Sequence, residues 1–506
     1  EKINYIGGDN IFFTRKIRRL GIPSIPFVDA TQGVRLNPAI LHPGMKKPAK
    51  KTIAYPSPIL LAATWNKESA YRYAYSIGEE CRAAGLPVLL GPGFNLYRNS
   101  QCGRNFEYFG EDPLLAGKMI ENFVIGLQET GTIATLKHFV ANQTDYYRRR
   151  SNSILDERTL HEIYMPAFKY GIDAGAMAVM TSYNLVNGEW AGQSEYVINH
   201  LLREELGFKW LVMTDWFSVW NGEKLIHSGQ DLEMPFRKAT KHTKKMLKDK
   251  IVSEGDLNRM VKSVLRAFIA MDAFNMEKAP LGEVDYNRLE DVALNTAREG
   301  MVLLRNDNQL LPIDKAKAQK ILATGSYLEK WVSGKGAAYV KGYDQMLLKD
   351  ALKSEFGDQI TFIKNPTESE LSSADIVLLS VGTQDSEGCD RPFDLPEKEE
   401  EKVRFCSSHN PNTVVIVTSG SGINMSSWED AGSILYTWYM GQNGAKAVAE
   451  ILSGKTNPSG KLPMSIESKF EDSPAFAYIP KGEELYEGFK MRAELKREVY
   501  DVHYNE

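Results

Sequence analysis

Residues 208–216, FKWLVMTDW, decide how the first half of the chain is interpreted. The apolar run at 210–214 is typical of a buried strand, and it stops at Asp215. A carboxylate at the mouth of an apolar strand costs free energy unless it is paired or used chemically. A single strand-end aspartate is more often a helix cap or a turn residue. A functional interpretation is favoured here because several earlier apolar runs also end in polar residues.

Four earlier apolar runs are also predicted to be strands, and they lie at residues 20–29, 86–90, 133–136 and 176–181. Helical patterns separate them, at residues 69–84, 115–130, 157–174 and 196–206. Strands that alternate with helices indicate βαβ units and a parallel sheet. Polar residues follow these strands at their carboxyl ends, where a (β/α) barrel carries its active site. We therefore predict an α/β protein with a (β/α)8-type, TIM-like barrel over residues 1–273. A doubly wound sheet uses the same edge, but no GxGxxG follows the first strand.

The second half of the chain alternates in the same way and predicts a smaller three-layer α/β sandwich at residues 297–467. Its predicted strands are residues 301–305, 320–324, 360–363, 375–381, 413–419 and 433–439. Its predicted helices are residues 343–356, 398–408 and 445–452. Residues 274–296 contain Pro280 and Gly282 without clear periodicity and are predicted to be a linker. Residues 468–506 are charged and are predicted to be irregular.

Composition narrows the class of function. A chain of 506 residues is too long for one core, so two or three domains are expected. The net charge of −4 gives no general reason to expect nucleic-acid binding. No apolar run reaches the roughly 18–20 residues of a membrane span. The sequence as given shows no signal peptide, and we expect a periplasmic or secreted location rather than a cytoplasmic one.

Histidine and cysteine patterns do not indicate a metal site. The eight histidines are scattered and form no HExxH motif, so neither a metal nor another cofactor is expected. The four cysteines form no CxxC pair and have no zinc-site spacing, and they are interpreted as buried thiols.

The polar residues near the predicted strand ends have the composition of a sugar-binding pocket. The set consists of Asp29, Arg104, Lys137, His138, Arg148, Tyr183 and Asp215. Each sugar hydroxyl is both a donor and an acceptor, so it needs acids and cations as partners. Trp216 adds an apolar face on which a sugar ring can rest. Taken singly, each residue is equally compatible with a surface or capping role, and residues 148–150 with a solvated basic run.

The chain resembles glycoside hydrolase family 3, in order, over nearly its whole length. The matching segments include LGIPSIPFVDATQGVR (20–35), GRNFEYFGEDP (103–113), LKHFVAN (136–142), VMTSYNLVNG (179–188), LVMTDW (211–216), VGTQDSEGCDRPFDLP (381–396) and GKLPMSI (460–466). The resemblance implies a barrel-like first domain, an α/β sandwich as second domain, and a pocket between them. Many family members with this second-domain loop are β-glucosidases.

Carried over position by position, the resemblance implies roles for ten residues. Asp215 matches the nucleophile, and Glu387 matches the acid/base that the second domain supplies. The residues around the terminal sugar match Asp29, Arg104, Lys137, His138, Arg148 and Tyr183, and the apolar wall matches Met180 and Trp216. Arg149 and Arg150 offer alternative registers for Arg148. The implied activity is that of a retaining, exo-acting β-glucosidase acting on a β-glucoside or gluco-oligosaccharide. Whether the protein is a homo-oligomer is left open.

The implied mechanism requires Asp215 to be ionised and Glu387 to be protonated when the substrate binds. Retaining hydrolysis needs one ionised carboxylate to attack the anomeric carbon and one protonated acid to assist the leaving oxygen. We expect Lys137, His138 and the arginines to keep Asp215 ionised. We expect Asp385 and Asp390 to raise the pKa of Glu387 by like charge.

The chain departs from the family pattern in three places. DATQGVR stands at 29–35 where the family often has DGPxGVR, and the glycine-rich turn SGKGAAYV at 333–340 is degraded. Relatives commonly continue into a small β-sandwich, so two alternatives are open: the chain is a fragment in which residues 468–506 begin such a domain, or the domain was not retained. Cys102 and Cys389 lie in loops expected to border the pocket, and a disulfide between them is an alternative to two free thiols.

Single motifs distinguish a β-glucosidase from other glycosidases of the family and from a non-catalytic binding protein. N-acetylglucosaminidase members of the family resemble KHFPGHG, whereas this chain reads KHFVANQ. β-Xylosidase members often replace the tryptophan after the nucleophile, so Trp216 favours glucose. The alternative of another class is a non-catalytic carbohydrate- or nucleotide-binding α/β protein. It is supported by the glycines at 420 and 422 but lacks a Walker lysine.

Overall fold

The computed structural model describes residues 1–29, 31–36, 51–278, 284–479 and 494–504. Ala30, in the unusual turn DATQGVR, lies outside these ranges. We call residues 1–273 the barrel domain and residues 297–467 the sandwich domain.

The barrel domain is organised around a sheet of five parallel strands. The strands of the whole domain are β1 (Phe27–Asp29), β2 (Val88–Leu90), β3 (Ile133–Phe139), β4 (Ser151–Ile154), β5 (Ala178–Thr181), β6 (Leu185–Val186), β7 (Glu189–Trp190) and β8 (Leu211–Thr214). Of these, β4, β6 and β7 lie outside the parallel sheet. The parallel sheet has the order β1-β2-β3-β5-β8. Strands β2, β3, β5 and β8 are buried throughout, as continuous apolar runs in a parallel sheet require.

Single-residue bridges continue the sheet beyond both of its edges. In order they join Met213 to Leu232, Glu233 to Gly7, Asp9 to Phe13, and Phe13 to Pro26. Because Pro26 immediately precedes β1, the bridges return the chain to the first strand and the sheet curls into a ring. The TIM-like barrel prediction is confirmed, with five regular parallel strands rather than eight in the described part of the domain.

Helices surround this sheet and begin and end at recognisable caps. The α-helices are Lys2–Tyr5, Pro58–Ala63, Lys67–Ala84, Pro113–Glu129, Glu157–Thr159, Pro166–Asp173, Gly222–His227, Thr243–Lys248 and Glu254–Ala270, with π-helices at Leu160–Tyr164 and Tyr196–Glu205. Short 3-10 turns lie at Arg18–Leu20, Asn105–Glu107, Ala191–Gln193, Ala239–His242 and Ala273–Lys278. The helix Lys67–Ala84 shows the pattern: Asn66 Oδ1 accepts from the Glu68 amide at 3.0 Å, and Gly85 ends the helix at φ 69°.

The sandwich domain has a six-stranded sheet between two apolar layers. Its strands are β9 (Val302–Asn306), β10 (Ile321–Gly325), β11 (Ile360–Phe362), β12 (Ile376–Gly382), β13 (Thr413–Thr418) and β14 (Ser433–Tyr436), in the order β11-β10-β12-β13-β14-β9, and only β9 pairs antiparallel. The helices are Leu348–Phe356, Glu368–Ser372, Glu397–His409 and Gly444–Leu452, with 3-10 turns at Asp307–Gln309, Gly357–Gln359 and Phe470–Asp472. Neighbours on β12 pack into opposite cores, Leu378 into one and Leu379 into the other, as a three-layer sandwich requires.

The linker predicted for residues 274–296 is in large part a helix, Tyr286–Gly300. Asp285 caps its first turn by accepting from the Arg288 amide at 3.2 Å. Leu289 packs in the barrel core and Leu294 in a sandwich core, so this helix contacts both domains. The expectation of no clear periodicity was wrong from residue 286 onward, because Leu289, Ala293 and Ala297 lie at helical spacing on one buried face. Residues 279–283 lie outside the described ranges.

The C-terminal segment is also more ordered than predicted. Strand β15 (Tyr500–His503) pairs in parallel with β4, in a small sheet of order β15-β4-β6-β7. Val502 and Tyr504 are buried in the barrel core. The interpretation of residues 468–506 as irregular is therefore wrong for this strand, because its pairing partner is about 350 residues away in sequence. Across the described residues, no helix has the length and apolarity needed to cross a bilayer.

Candidate active site

A cavity of about 240 Å³ lies where the carboxyl ends of the barrel strands face a loop of the sandwich domain. Its lining residues are Phe12, Asp29, Arg35, Arg104, Lys137, His138, Met180, Tyr183, Asp215, Trp216, Ala337 and Glu387. Nine of the ten residues predicted from sequence are in this lining. The tenth, Arg148, lies behind it, where its guanidinium contacts Glu387 and Tyr183.

Asp215 follows β8 directly, so the sheet fixes its backbone. Its amide donates to the Thr181 carbonyl at 3.2 Å, and its Oδ1 accepts from the Trp216 amide at 2.6 Å. Its Oδ2 lies 3.6 Å from His138 Nε2. Burial raises the pKa of Asp215 above its ordinary value, and the charges of Arg148 and Arg104 oppose that rise only in part.

His138 does not supply the positive charge expected beside Asp215. Burial, with the nearby charges of Arg104 and Lys137, holds the pKa of His138 well below its ordinary value. Its Nδ1 lies 3.1 Å from Asn95 Oδ1, which also accepts from the His138 amide. We assign the ring proton to Nδ1 on this contact, which leaves Nε2 as an acceptor facing the cavity. The expectation that His138 helps to keep Asp215 ionised by its charge is therefore wrong, whereas Arg148 and Arg104 do favour the ionised form as expected.

Glu387 is held by positive groups rather than by its acidic neighbours. Its Oε1 lies 2.8 Å from Arg148 Nη2 and 3.5 Å from Arg104 Nη1, and its Oε2 accepts from the Ala337 amide at 2.6 Å. Burial by itself raises the pKa of Glu387, but Arg104 and Arg148 outweigh burial and hold it well below its ordinary value.

The two aspartates expected to raise the pKa of Glu387 have partners of their own. Asp385 pairs with Arg391 at 2.6 Å. Asp390 accepts from the Thr144 hydroxyl at 2.6 Å, the Asp145 amide at 2.9 Å and the Gly103 amide at 3.3 Å. The expected like-charge effect on Glu387 is therefore wrong. Asp390 instead fastens the sandwich-domain loop to the barrel domain.

Acidic and aromatic groups complete the cavity. Burial raises the pKa of Asp29 to about 6, although Lys137 opposes the rise. The rings of Phe12 and Trp216 lie 5.5 Å apart and form an apolar wall. Sequence reasoning assigned no role to Phe12, Arg35 or Ala337. Phe12 precedes the first strand and follows no strand end, and Ala337 contributes a backbone amide that only the degraded turn at 333–340 could have signalled.

The three consecutive arginines point to three different places. The guanidinium carbons of Arg148 and Arg149 lie 3.9 Å and 4.1 Å from the ring centre of Tyr183. Arg148 continues to Glu387, Arg149 pairs with Glu494, and Arg150 donates to the Leu495 carbonyl at 2.8 Å. Of the three registers, only Arg148 reaches the acid of the sandwich domain, and none of the three is an ordinary solvated cation.

All four cysteines are free thiols, so the alternative of a Cys102–Cys389 disulfide is not realised. Burial raises the pKa of Cys389 to about 11, which makes this thiol a poor nucleophile at neutral pH. Among the residues that the structure describes, no group of three or more His, Cys, Asp or Glu side chains could hold a metal ion.

Comparison with known proteins agrees with this geometry. Residues 18–267 match the glycosyl hydrolase family 3 N terminal domain, and residues 301–504 match the glycosyl hydrolase family 3 C-terminal domain. Thermostable beta-glucosidase B of Acetivibrio thermocellus is 31% identical over 95% of this chain and 66% of its own length. Beta-glucosidase BoGH3A of Bacteroides ovatus is 32% identical over 95% of this chain and 71% of its own.

A solved structure extends the likeness to three dimensions. Beta-glucosidase 3B from Thermotoga neapolitana in complex with glucose aligns with a TM-score of 0.87 at 27% identity, covering 99% of this chain and 77% of that one. The family matches over both domains identify the class of protein as a carbohydrate-cleaving hydrolase. The chain belongs to glycosyl hydrolase family 3 and is a glycoside hydrolase. It spans about two thirds of the length of the curated relatives named above.

Proposed function

We propose that the protein is a retaining, exo-acting β-glucosidase that removes terminal non-reducing β-D-glucosyl residues through a covalent glycosyl-Asp215 intermediate. The observation that carries the proposal is that Asp215 and Glu387, from different domains, line one cavity of about 240 Å³. Two carboxyl groups flanking one sugar site are what retaining hydrolysis needs. The β-glucosidase relatives support glucose as the sugar.

In the first step, Asp215 Oδ2 attacks the anomeric carbon while Glu387 gives its proton to the departing glycosidic oxygen. Asp215 Oδ1 is occupied by the Trp216 amide, which leaves Oδ2 for the attack. In the second step, Glu387 takes a proton from water, whose oxygen attacks the same carbon and releases Asp215. The sugar leaves with its original configuration, and both carboxyl groups return to their starting states.

Glu387 needs a proton before it can act as the acid, but in this structure its surroundings favour the ionised form. Arg104 and Arg148 are responsible, because their charges lower its pKa. A sugar hydroxyl that accepts from these guanidinium groups competes with Glu387 for them. Once the ion pair weakens, burial raises the pKa of Glu387 and favours the protonated form. We therefore expect sugar binding and proton uptake by Glu387 to be coupled.

A second candidate activity comes from other relatives. Exo-alpha-(1->6)-L-arabinopyranosidase of Bifidobacterium longum is 29% identical over 97% of this chain and 69% of its own length. An L-arabinopyranoside or a β-xyloside therefore belongs in any test of substrate choice.

The nucleotide-binding alternative loses its support at the glycines of residues 420–422. A Cβ at Gly420 would lie 2.4 Å from Asp385 Oδ2 and 2.5 Å from Phe106 Cβ, so close packing accounts for this glycine. The Ser421 hydroxyl donates to the Ser100 carbonyl at 2.7 Å, which ties the loop to the barrel domain.

The test is a panel of 4-nitrophenyl β-glucoside, β-xyloside, N-acetyl-β-glucosaminide and α-L-arabinopyranoside, each assayed with and without chelator. We expect the largest kcat/KM for the glucoside, no effect of chelator, and β-glucose as the first anomer seen by NMR. A larger kcat/KM for another sugar would reassign the substrate. α-Glucose as first product would refute the retaining mechanism.

A further inference from the structure

The C-terminal segment reaches the back of the active site through one buried ion pair. Glu494 Oε2 lies 2.9 Å from Arg149 Nη1, and Glu494 Oε1 accepts from the Arg149 amide at 2.7 Å. The side chains are only 2% and 3% exposed, for arginine and glutamate respectively. Strand β15 follows a few residues later and pairs with β4, which anchors the segment to the barrel domain.

Arg149 in turn holds the backbone that follows Asp215. It donates from Nη2 to the Trp216 carbonyl at 2.9 Å and from Nε to the Phe217 carbonyl at 3.2 Å. Phe217 has φ 58°, in the left-handed region that costs free energy for a non-glycine residue. A turn of this kind persists only when its surroundings fix it, and Arg149 supplies two hydrogen bonds that do so.

The same guanidinium also lies against the cavity. Its carbon is 4.1 Å from the ring centre of Tyr183, which lines the cavity together with Asp215. Arg149 therefore touches the nucleophile's surroundings on two sides, at the following turn and through Tyr183. Glu494 pairs with this guanidinium and also accepts from the Arg149 amide, so it holds both the side chain and the backbone of Arg149.

We propose that Glu494 is a positioning residue for the nucleophile: it fixes Arg149, and Arg149 fixes the turn after Asp215 and the ring of Tyr183. The inference rests on the proposed function, in which Asp215 attacks the sugar. Glu494→Gln removes the carboxylate charge that pairs with the buried Arg149 guanidinium, and a small displacement of reacting groups costs up to about 10²-fold in rate. We expect kcat to fall about 10- to 100-fold with KM within about threefold, because Glu494 does not contact the sugar.

The experiment isolates the attack by Asp215. The enzyme is inactivated with 2,4-dinitrophenyl 2-deoxy-2-fluoro-β-glucoside, or with the fluorinated analogue of whichever glycoside the wild type cleaves best. Glu494→Gln, Arg149→Lys and the double variant are compared with Asp501→Asn. Asp501 is the matched control because it lies in the same segment and accepts from Asn152 Nδ2 at 2.8 Å, away from the turn.

We expect Glu494→Gln to lower the inactivation rate constant at unchanged inhibitor affinity, and the double variant to be no slower than the slower single variant. Asp501→Asn should react like the wild type.

A wild-type inactivation rate in folded Glu494→Gln, or an equal loss in Asp501→Asn, would overturn the proposal. If Glu494→Gln does not fold, Arg149→Lys takes its place, because it loses the fork of hydrogen bonds to the Trp216 and Phe217 carbonyls, and a wild-type inactivation rate in that variant overturns the proposal equally. Failure of the proposed function shows in the wild type on the substrate panel, whereas failure of this inference shows only in the variants.

Discussion

At the scale of single residues, the assignment of Glu387 has the sharpest consequences. An acid matters in proportion to how much the leaving group needs a proton. The alcohol that leaves cellobiose is poor, so Glu387→Ala should lower kcat/KM by roughly 10²–10⁴-fold. A dinitrophenolate leaves unaided, so formation of the glycosyl-enzyme from a dinitrophenyl glucoside should be nearly unchanged. Deglycosylation then lacks its base, and the intermediate should accumulate as a burst that azide relieves.

Controls for this variant lie in the same loop and at the nucleophile. Asp215→Ala should abolish activity on both substrates alike. Equal losses on cellobiose and the dinitrophenyl glucoside, with no effect of azide, would remove Glu387 from the acid/base role. Asp385 and Asp390 would be poor replacements, because one is paired with Arg391 and the other holds three donors of the barrel domain.

The residue scale also shows what sequence could and could not predict. Strand-end position and family resemblance located nine lining residues, because those signals are local in the chain. The pKa of Glu387 was predicted to shift in the wrong direction. Its environment depends on Arg104 and Arg148, which are more than 200 residues away in sequence. Residues close to Glu387 in sequence, such as Asp390, contact other groups instead and do not set its pKa.

At the scale of elements, the helix Lys67–Ala84 contains a buried acid, Glu80, whose ionisation should make the stability of the protein depend on pH. Burial raises the pKa of Glu80 from 4.5 to about 8, and its Oε1 accepts from the Ile53 amide at 2.8 Å. A group with a raised folded pKa stabilises the protein fully below its unfolded pKa and loses that contribution as pH rises through the folded pKa. Stability should therefore fall between about pH 4.5 and pH 8 by an amount on the order of a few kcal/mol.

Glu80→Gln tests this by removing the charge. The melting temperature of the variant should depend less on pH over this window than that of the wild type, and should be the higher of the two at pH 8.5. Glu79→Gln, at the neighbouring partly exposed position paired with Arg288, should retain most of the wild-type dependence, because Glu79 is only the smallest of the causes that shift the pKa of Glu80. Parallel melting curves for wild type and Glu80→Gln would mean that Glu80 does not titrate with folding.

Elements also differ in how far they are predictable. The five parallel barrel strands and the six sandwich strands were found because each is an apolar run bounded by turn residues. Strands β4, β6, β7 and β15 were missed, because segments such as SNSI carry no apolar pattern and become strands only by pairing with distant chain. The helix Tyr286–Gly300 was missed because the interpretation rested on Pro280 and Gly282 rather than on the apolar face formed by Leu289, Ala293 and Ala297.

At the scale of the whole molecule, the active site exists only while the two domains are docked. Gly103 of the barrel domain packs against the loop that carries Glu387, with no room for a side chain. A Cβ there would lie 1.9 Å from the Cys389 carbonyl oxygen and 2.3 Å from that of Ser386. Both obstacles are backbone atoms, so they cannot be relieved by a rotamer change. The contact sits beside the hydrogen bond from the Gly103 amide to Asp390.

Gly103→Ala should therefore push the loop, and Glu387 with it, away from Asp215. We expect kcat/KM to fall by at least about tenfold, since displacements near 1 Å already cost up to 10²-fold. Each domain keeps its own core, so circular dichroism should be unchanged while the melting transition broadens or splits.

Gly255→Ala is the matched control, because this exposed helical glycine has only the Ser253 hydroxyl oxygen, at 3.3 Å, near the added carbon. It should keep full activity with equal or higher stability. Wild-type kcat/KM in Gly103→Ala would show that the loop yields without moving Glu387, and that docking is looser than the close backbone contact implies.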